Sequence, residues 1–129
     1  MTTWVFINDS FVAAENAALS YRDLAIQRGY GVFDFFRVEQ GYPVFLEDHL
    51  DRFHFSAEQM HLRISLQSDA LREVIDILIR KNQMEQGGIR LTLTGGNSPD
   101  GFQPATPNLV ISPHSPRTST RVPAATLPS

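Results

Sequence analysis

The chain has 129 residues, 42% hydrophobic and 19% charged, with a formal net charge of −3. That length suits one domain with its own core, and the slight acidity gives no electrostatic reason to expect nucleic acid or an anionic membrane as partner. No cysteine is present, which excludes disulfides and thiolate chemistry. The N-terminus has no basic region ahead of an apolar run, and no apolar stretch approaches the ~20 residues of a membrane span, so a cytoplasmic protein is expected. Lys81 is the only lysine, so a mechanism that needs a lysine imine has one candidate in these residues.

Residues 4–7 and 11–14 are β-rich and flank an Asn8-Asp9 turn signal, which predicts an N-terminal hairpin. Residues 15–27 are less regular; Ser20, Arg22 and Asp23 suggest a loop or one short helical turn leading into Gly29. In 32–39, Val32, Asp34, Phe36 and Val38 alternate with Phe33, Phe35, Arg37 and Glu39. Aromatics on both faces predict a strand covered on both sides. Gln40-Gly41 supplies a corner that tolerates positive φ, and 42–45 returns as the partner strand.

Leu46, Leu50, Phe53, Ala57 and Met60 recur at helical spacing, with Glu47 and Asp48 near the positive end of the dipole. A second helix is predicted with Ser68 as N-cap, Leu71, Val74, Ile75 and Leu78 inward, and Arg80 and Lys81 in its last turn. Gly87-Gly88 is expected to end the connection that follows. Ile89, Leu91 and Leu93 alternate with Arg90, Thr92 and Thr94, a strand with one apolar and one polar face. Ser98-Pro99-Asp100-Gly101 matches a type I turn, and 108–112 makes a last strand. The Pro-, Ser- and Thr-rich residues 113–129 have no period and are expected to form a poorly ordered tail after a domain at 1–112. The order of elements predicts an α+β fold, an antiparallel sheet with two helices grouped on it.

Several residues could carry chemistry. Arg52, on the first long helix, could clamp a phosphate or carboxylate bidentately, or simply pair with Asp48 one turn away. Arg90 could recognise an anion from its polar strand face, or lie on a solvated surface; Arg37 is equally open. Gly29-Tyr30-Gly31 precedes a strand rather than a helix and so lacks the dipole site of a dinucleotide motif. His49, His54 and His61 do not have the spacing of helical metal ligands. Lys81 sits between Arg80 and Asn82 at a polar helix end, where a surface role is expected.

The order Gly29-x-Gly31-Val32-Phe33-Asp34, Arg37-Val38, Gly41, Phe45, His49-Leu50-x-Arg52-Phe53, Ser56-Ala57, Ile89-Arg90-Leu91 and the Gly95 loop resembles the small N-terminal domain of class IV (fold-type IV) pyridoxal-phosphate-dependent aminotransferases, which include branched-chain and D-amino acid aminotransferases and aminodeoxychorismate lyases. The resemblance covers about residues 4–112. It implies pyridoxal 5'-phosphate (PLP) as cofactor, with Arg52 on its phosphate, Arg90 on a substrate carboxylate, and Phe33 and Arg37 lining or supporting the pocket. On this reading Arg52 is expected to face a concave surface shared with Arg90. No catalytic residue is carried over, because Lys81 matches no catalytic position and the family's imine-forming lysine belongs to a larger second domain.

The implied reaction is amino transfer between an L-amino acid, with branched-chain substrates in view, and 2-oxoglutarate. Asp100 and Phe102 stand where D-amino acid enzymes carry basic residues, which disfavours D-specificity. Three readings follow: the N-terminal part of a transaminase, inactive alone; a non-catalytic module that pairs with a full-length relative, homodimer formation included; or a retained fold with an unrelated function. The first is expected, with an aminodeoxychorismate lyase as its variant, because the motif block is intact and the irregular tail begins where the family's linker should lie.

Overall fold

The computed structural model describes residues 2–116. Trp4–Ile7 (β1) and Ser10–Ala13 (β2) form the first antiparallel hairpin, in register from Trp4↔Ala13 to Ile7↔Ser10, around Asn8 at φ 59°. A 3-10 turn at Ala14–Asn16 and a short helix at Leu24–Arg28 (α1) lead onward, and the Asp23 carboxylate caps α1 by accepting the Ala25 N–H at 2.8 Å. Gly31–Glu39 (β3) then turns at Gln40 and Gly41, both at positive φ as a tight twisted corner requires.

The returning strand is shorter than predicted, Tyr42–Pro43 (β4). Phe45 takes φ 55° and swings the chain out of the sheet into Leu46–Gln59 (α2). Ser68–Lys81 (α3), Gln86–Thr94 (β5) and Leu109–His114 (β6) complete the fold.

The expected α+β architecture is observed. The sheet order is β2-β1-β6-β5-β3-β4, every neighbouring pair antiparallel, so the two last strands are laid between the two hairpins. One face carries the core. Phe36 and Val38 from β3, Ile89, Leu91 and Leu93 from β5, Leu109 and Ile111 from β6 and Phe6 from β1 meet Leu50, Phe53 and Ala57 of α2 and Leu71, Ile75, Leu78 and Ile79 of α3. Each fully buried large side chain contributes about 1.5–3 kcal/mol, and Phe36 and Phe53 are the bulkiest of them. Arg72 ties the two helices together through a bidentate pair with Glu47, both bonds 2.7 Å.

Four details differ from the sequence reading. The strand expected to be covered on both sides is open on one: Phe33 is 60% exposed and Phe35 39%, because both long helices pack on the other face. Ser68 is the first helical residue; Gln67 holds the N-cap position with no side-chain bond. Gly87 and Gly88 do not end an element but lie within β5, where the Phe35 ring rests over Gly88 in the space a Cβ would fill. Strand β6 runs two residues past the expected boundary at 112, so Pro113 and His114 belong to the sheet and not to a tail. Residues 117–129 of that tail lie outside the described residues. Among the described residues, no helix is long and apolar enough to cross a membrane.

Candidate functional site: two arginines flanking strand β3

Strand alternation puts Asp34 on the core face of β3, where it is 4% exposed. A carboxylate there needs a cation and hydrogen-bond donors, and α2 delivers two partners one turn apart, Arg52 and His49. Arg52 meets it side-on, Nε to Oδ2 at 2.7 Å and Nη2 to Oδ1 at 2.8 Å, while His49 Nδ1 lies 2.8 Å from Oδ1 and the Phe35 N–H adds a bond of 2.9 Å. Neither of the readings open for Arg52 in the sequence named this partner; Asp48 is not involved. His49 Nδ1 is also 3.2 Å from Arg52 Nη2, but one ring nitrogen cannot donate and accept at once. The anionic Oδ1 is the better partner, so Nδ1 carries the proton and donates to Asp34.

Burial alone would raise the Asp34 pKa. Hydrogen bonds from Arg52 and His49, the Arg52 charge and the Phe35 N–H outweigh it and hold the carboxyl below its ordinary 3.8. A depressed folded-state pKa gives stability that is full above the unfolded value and is lost as pH falls through the folded one. Urea melts at about pH 6 and about pH 3 should therefore narrow the stability gap between the wild type and Asp34→Asn as pH falls; a gap independent of pH would contradict the ion pair.

Arg90 leaves β5 on the opposite, open face. It sits across from Phe35 and Ser112 in the ladders, and its guanidinium stacks on the Phe33 ring, 4.7 Å from the centroid. Among the described residues no carboxylate pairs with it. Arg37 shares that face but is engaged with Glu39 at 2.9 Å. His114, unnoticed in the sequence, packs edge-on against Phe35 with centroids 5.8 Å apart and lies 3.3 Å from the Ser112 hydroxyl. Burial first, and the Arg90 charge second, hold its imidazole below the ordinary 6.5.

Phe33, Arg37 and Arg90 are thus brought together, and Arg52 is not. The expectation that Arg52 shares a concave surface with Arg90 is not met: the guanidinium of Arg52, its side chain 63% exposed, is held on the helix side of the strand. The physical reason is the two-residue period, which sends Asp34 and its partners to one face and residues 33, 35 and 37 to the other. The sheet does end here, however. β4 pairs only with Val38 and Glu39, and the Val44 N–H reaches the Arg37 carbonyl at 2.8 Å, so β3 from Gly31 to Phe36 is an open edge between the two faces.

The other candidates have structural partners. The Lys81 ammonium lies 4.2 Å from the Trp4 ring centroid and 5.9 Å from that of Phe11. His54 Nδ1 contacts the Leu50 carbonyl at 2.8 Å. Among the described residues no group of three His, Cys, Asp or Glu side chains could hold a metal ion. Asp100 accepts from Ser98, Phe102 and Gln103 in its turn. The Gln103 amide, the Phe102 amide and then the Ser98 hydroxyl hold its carboxyl below the ordinary range.

The amino-transferase class IV family model matches residues 31–126. The chain is 33% identical over 105 residues to a D-alanine aminotransferase of Staphylococcus epidermidis, covering 81% of this chain and 37% of that one. It is 27% identical over 100 residues to an aminodeoxychorismate lyase of Bacillus subtilis, covering 76% and 34%. It thus spans about a third of the length of the curated relatives it matches. Its fold resembles that of the Escherichia coli branched-chain amino acid aminotransferase, with a TM-score of 0.81 at 24% identity over 89% of this chain and 40% of that one. The branched-chain aminotransferase of the thermophilic archaeon Thermoproteus uzoniensis, solved with norvaline, gives 0.78 at 21% identity, covering 89% and 41%; at these identities the likeness speaks for the fold alone. The family match begins at β3 and includes both long helices and the last two strands, and the chain belongs to the class IV amino-transferase family.

Proposed function

We propose that these residues are the part of a PLP-dependent class IV aminotransferase that grips the cofactor phosphate through Arg52 and the substrate carboxylate through Arg90, with Phe33 and Arg37 beside the latter. The observation that carries the reading is the Arg52 guanidinium: fixed by Asp34, it keeps Nη1 free of protein partners among the described residues. A phosphate monoester asks for such a donor, always charged and held in place. The unpaired Arg90, with an aromatic platform beneath it, suits a carboxylate in the same way. Ligand groups held by both would have to meet at the open edge of β3. Bound PLP supplies an electron sink for the substrate carbon that loses its proton.

The amine that anchors PLP is not Lys81, whose ammonium is stacked on Trp4; it comes from the part of such enzymes that this chain does not match, in the same protein or from a partner chain. The reaction is amino transfer from an L-amino acid, branched-chain substrates included, to 2-oxoglutarate. Asp100 is held anionic in the loop where D-specific enzymes carry basic residues, and an anion there repels a second carboxylate. The lyase reading has one specific support, the Bacillus subtilis relative, and differs in needing no amino acceptor.

The test uses the 129-residue chain with equimolar PLP, followed by 31P NMR, borohydride reduction and peptide mass spectrometry. Arg52→Gln should lower PLP affinity about tenfold, and Lys81 should carry no reduced adduct. Equal affinities, or an adduct on Lys81, would overturn the assignment. A sizing column run on the same samples, with and without a full-length class IV enzyme, checks the homodimer and the pairing-module readings.

A further inference from the structure

We infer that Asp34 is a positioning residue that aims Arg52 at its anion, so that the phosphate is taken by the end of the guanidinium and not by its side. The inference rests on the phosphate reading above. A guanidinium offers two bidentate edges, Nε with Nη2 along the side and Nη1 with Nη2 at the end. Asp34 occupies the side edge with bonds of 2.7 and 2.8 Å. Only the end edge is left to a ligand.

Three features make this a device for orientation rather than a surface ion pair. The two partners differ sharply in burial, the Asp34 side chain 3% exposed and that of Arg52 63%, so a rigid anchor holds a solvent-facing cation. The anchor is itself fixed, by the Phe35 N–H at 2.9 Å and by His49 at 2.8 Å, which removes its own rotation. The anchor strand and the helix that carries Arg52 are fastened by Phe36 and Phe53, both in the core and at most 1% exposed. A long arginine side chain ordinarily loses rotamer freedom when it binds; here that ordering has already happened in the fold. Free rotation about the last bonds of Arg52 is blocked before any ligand arrives.

Charge alone makes the opposite prediction, which gives the test its sign. Asp34 is negative, and removing a negative charge beside a phosphate site should tighten binding. If Asp34 acts by orientation, Asp34→Asn should weaken it instead. The 129-residue chain labelled with 15N at arginine is titrated with inorganic phosphate while the Arg52 Nε–H and Nη resonances are followed.

In the wild type, Nε–H should stand apart from the other arginines and stay still while the Nη signals move. In Asp34→Asn, Nε–H should return to the position of a free arginine and phosphate affinity at Arg52 should fall at least about threefold. Unchanged or tighter binding in Asp34→Asn, or phosphate shifts on Nε–H as large as those on Nη, would overturn the inference and leave the phosphate reading standing. No shift at Arg52 in either protein overturns both. If Asp34→Asn fails to fold, the division of shifts between Nε and Nη in the wild type decides the matter alone.

Discussion

Asp23→Ala is expected to destabilise the fold by about 3 kcal/mol, a large part of the roughly 5–15 kcal/mol that holds a domain together. Asp23 is fully buried. Its Oδ1 caps α1, and its Oδ2 accepts the Thr94 hydroxyl at 2.6 Å and the Asn108 amide at 2.7 Å. Thr94 Oγ1 in turn accepts the N–H groups of Gly96 and Asn108, and the Asn108 side-chain oxygen receives the Asn8 amide at 3.0 Å. Three parts of the chain therefore meet at one carboxylate, and Asn8 joins them through Asn108. Alanine removes a helix cap and strands the buried Thr94 hydroxyl, at about 1–3 kcal/mol for the stranded donor, while the half-buried Asn108 amide keeps Asn97 Oδ1 at 3.2 Å as an acceptor. Urea unfolding should show a midpoint lower by about 2–3 M. A loss below about 1 kcal/mol would mean that water reaches this corner and replaces the carboxylate.

Gly96→Ala should cost about 3 kcal/mol or more, for two separable reasons. Gly96 has φ 85°, where alanine is strained, and its new methyl would overlap the Thr106 carbonyl oxygen and lie 2.8 Å from the Thr106 carbonyl carbon. These are backbone atoms and cannot step aside as a side-chain end would. Gly101 is an internal control: its φ is 81° and nothing lies within 4 Å of the added methyl, so Gly101→Ala should show only the conformational part, about 1 kcal/mol. Gly96 also accepts the Leu24 N–H at 2.9 Å and donates to Thr94. It is thus joined to Asp23 through shared partners, and the double variant should fall short of the sum of the singles by about 1 kcal/mol. Thermal and urea melts of the wild type and the four variants check both statements; equal costs for Gly96→Ala and Gly101→Ala would remove the steric argument.

Much of the fold is legible in the residues because burial repeats with the period of the element. The helical stripe of Leu50, Phe53 and Ala57 and the alternation of Ile89, Leu91 and Leu93 both appear in the core. The misreadings have a common origin. Phe33 and Phe35 look like core residues by chemistry, yet whether a strand face is covered depends on where the helices land, which no local period records. Gly87 and Gly88 look like a terminator, yet a glycine in a strand also serves where a neighbouring ring must lie flat on the backbone.

The candidate site follows the same division. Arg52 and Arg90 stand out in the sequence as cations next to structured elements. The signal for Asp34 was also present: a lone carboxylate at an inward position among Val32, Phe36 and Val38, with His49 and Arg52 one turn apart on the helix that follows. A buried charge must find an opposite one, so that pattern calls for the pair the structure contains. Asp23 left no such trace. It resembles any turn aspartate, and its partners at 94 and 108 lie 71 and 85 residues away.

The sequence by itself determined the class of fold, the extent of most helices and strands, and the family, since these follow from periodicity and from residue blocks that keep their order along the chain. Only the tertiary structure decided which face of β3 stays open, that Arg52 from α2 and Arg90 from β5 lie on opposite sides of that strand, and that Asp34 already holds one edge of the Arg52 guanidinium. These depend on strand order and on contacts between distant residues, and such contacts are set by the packing of the whole sheet against its helices rather than by any neighbourhood of the chain.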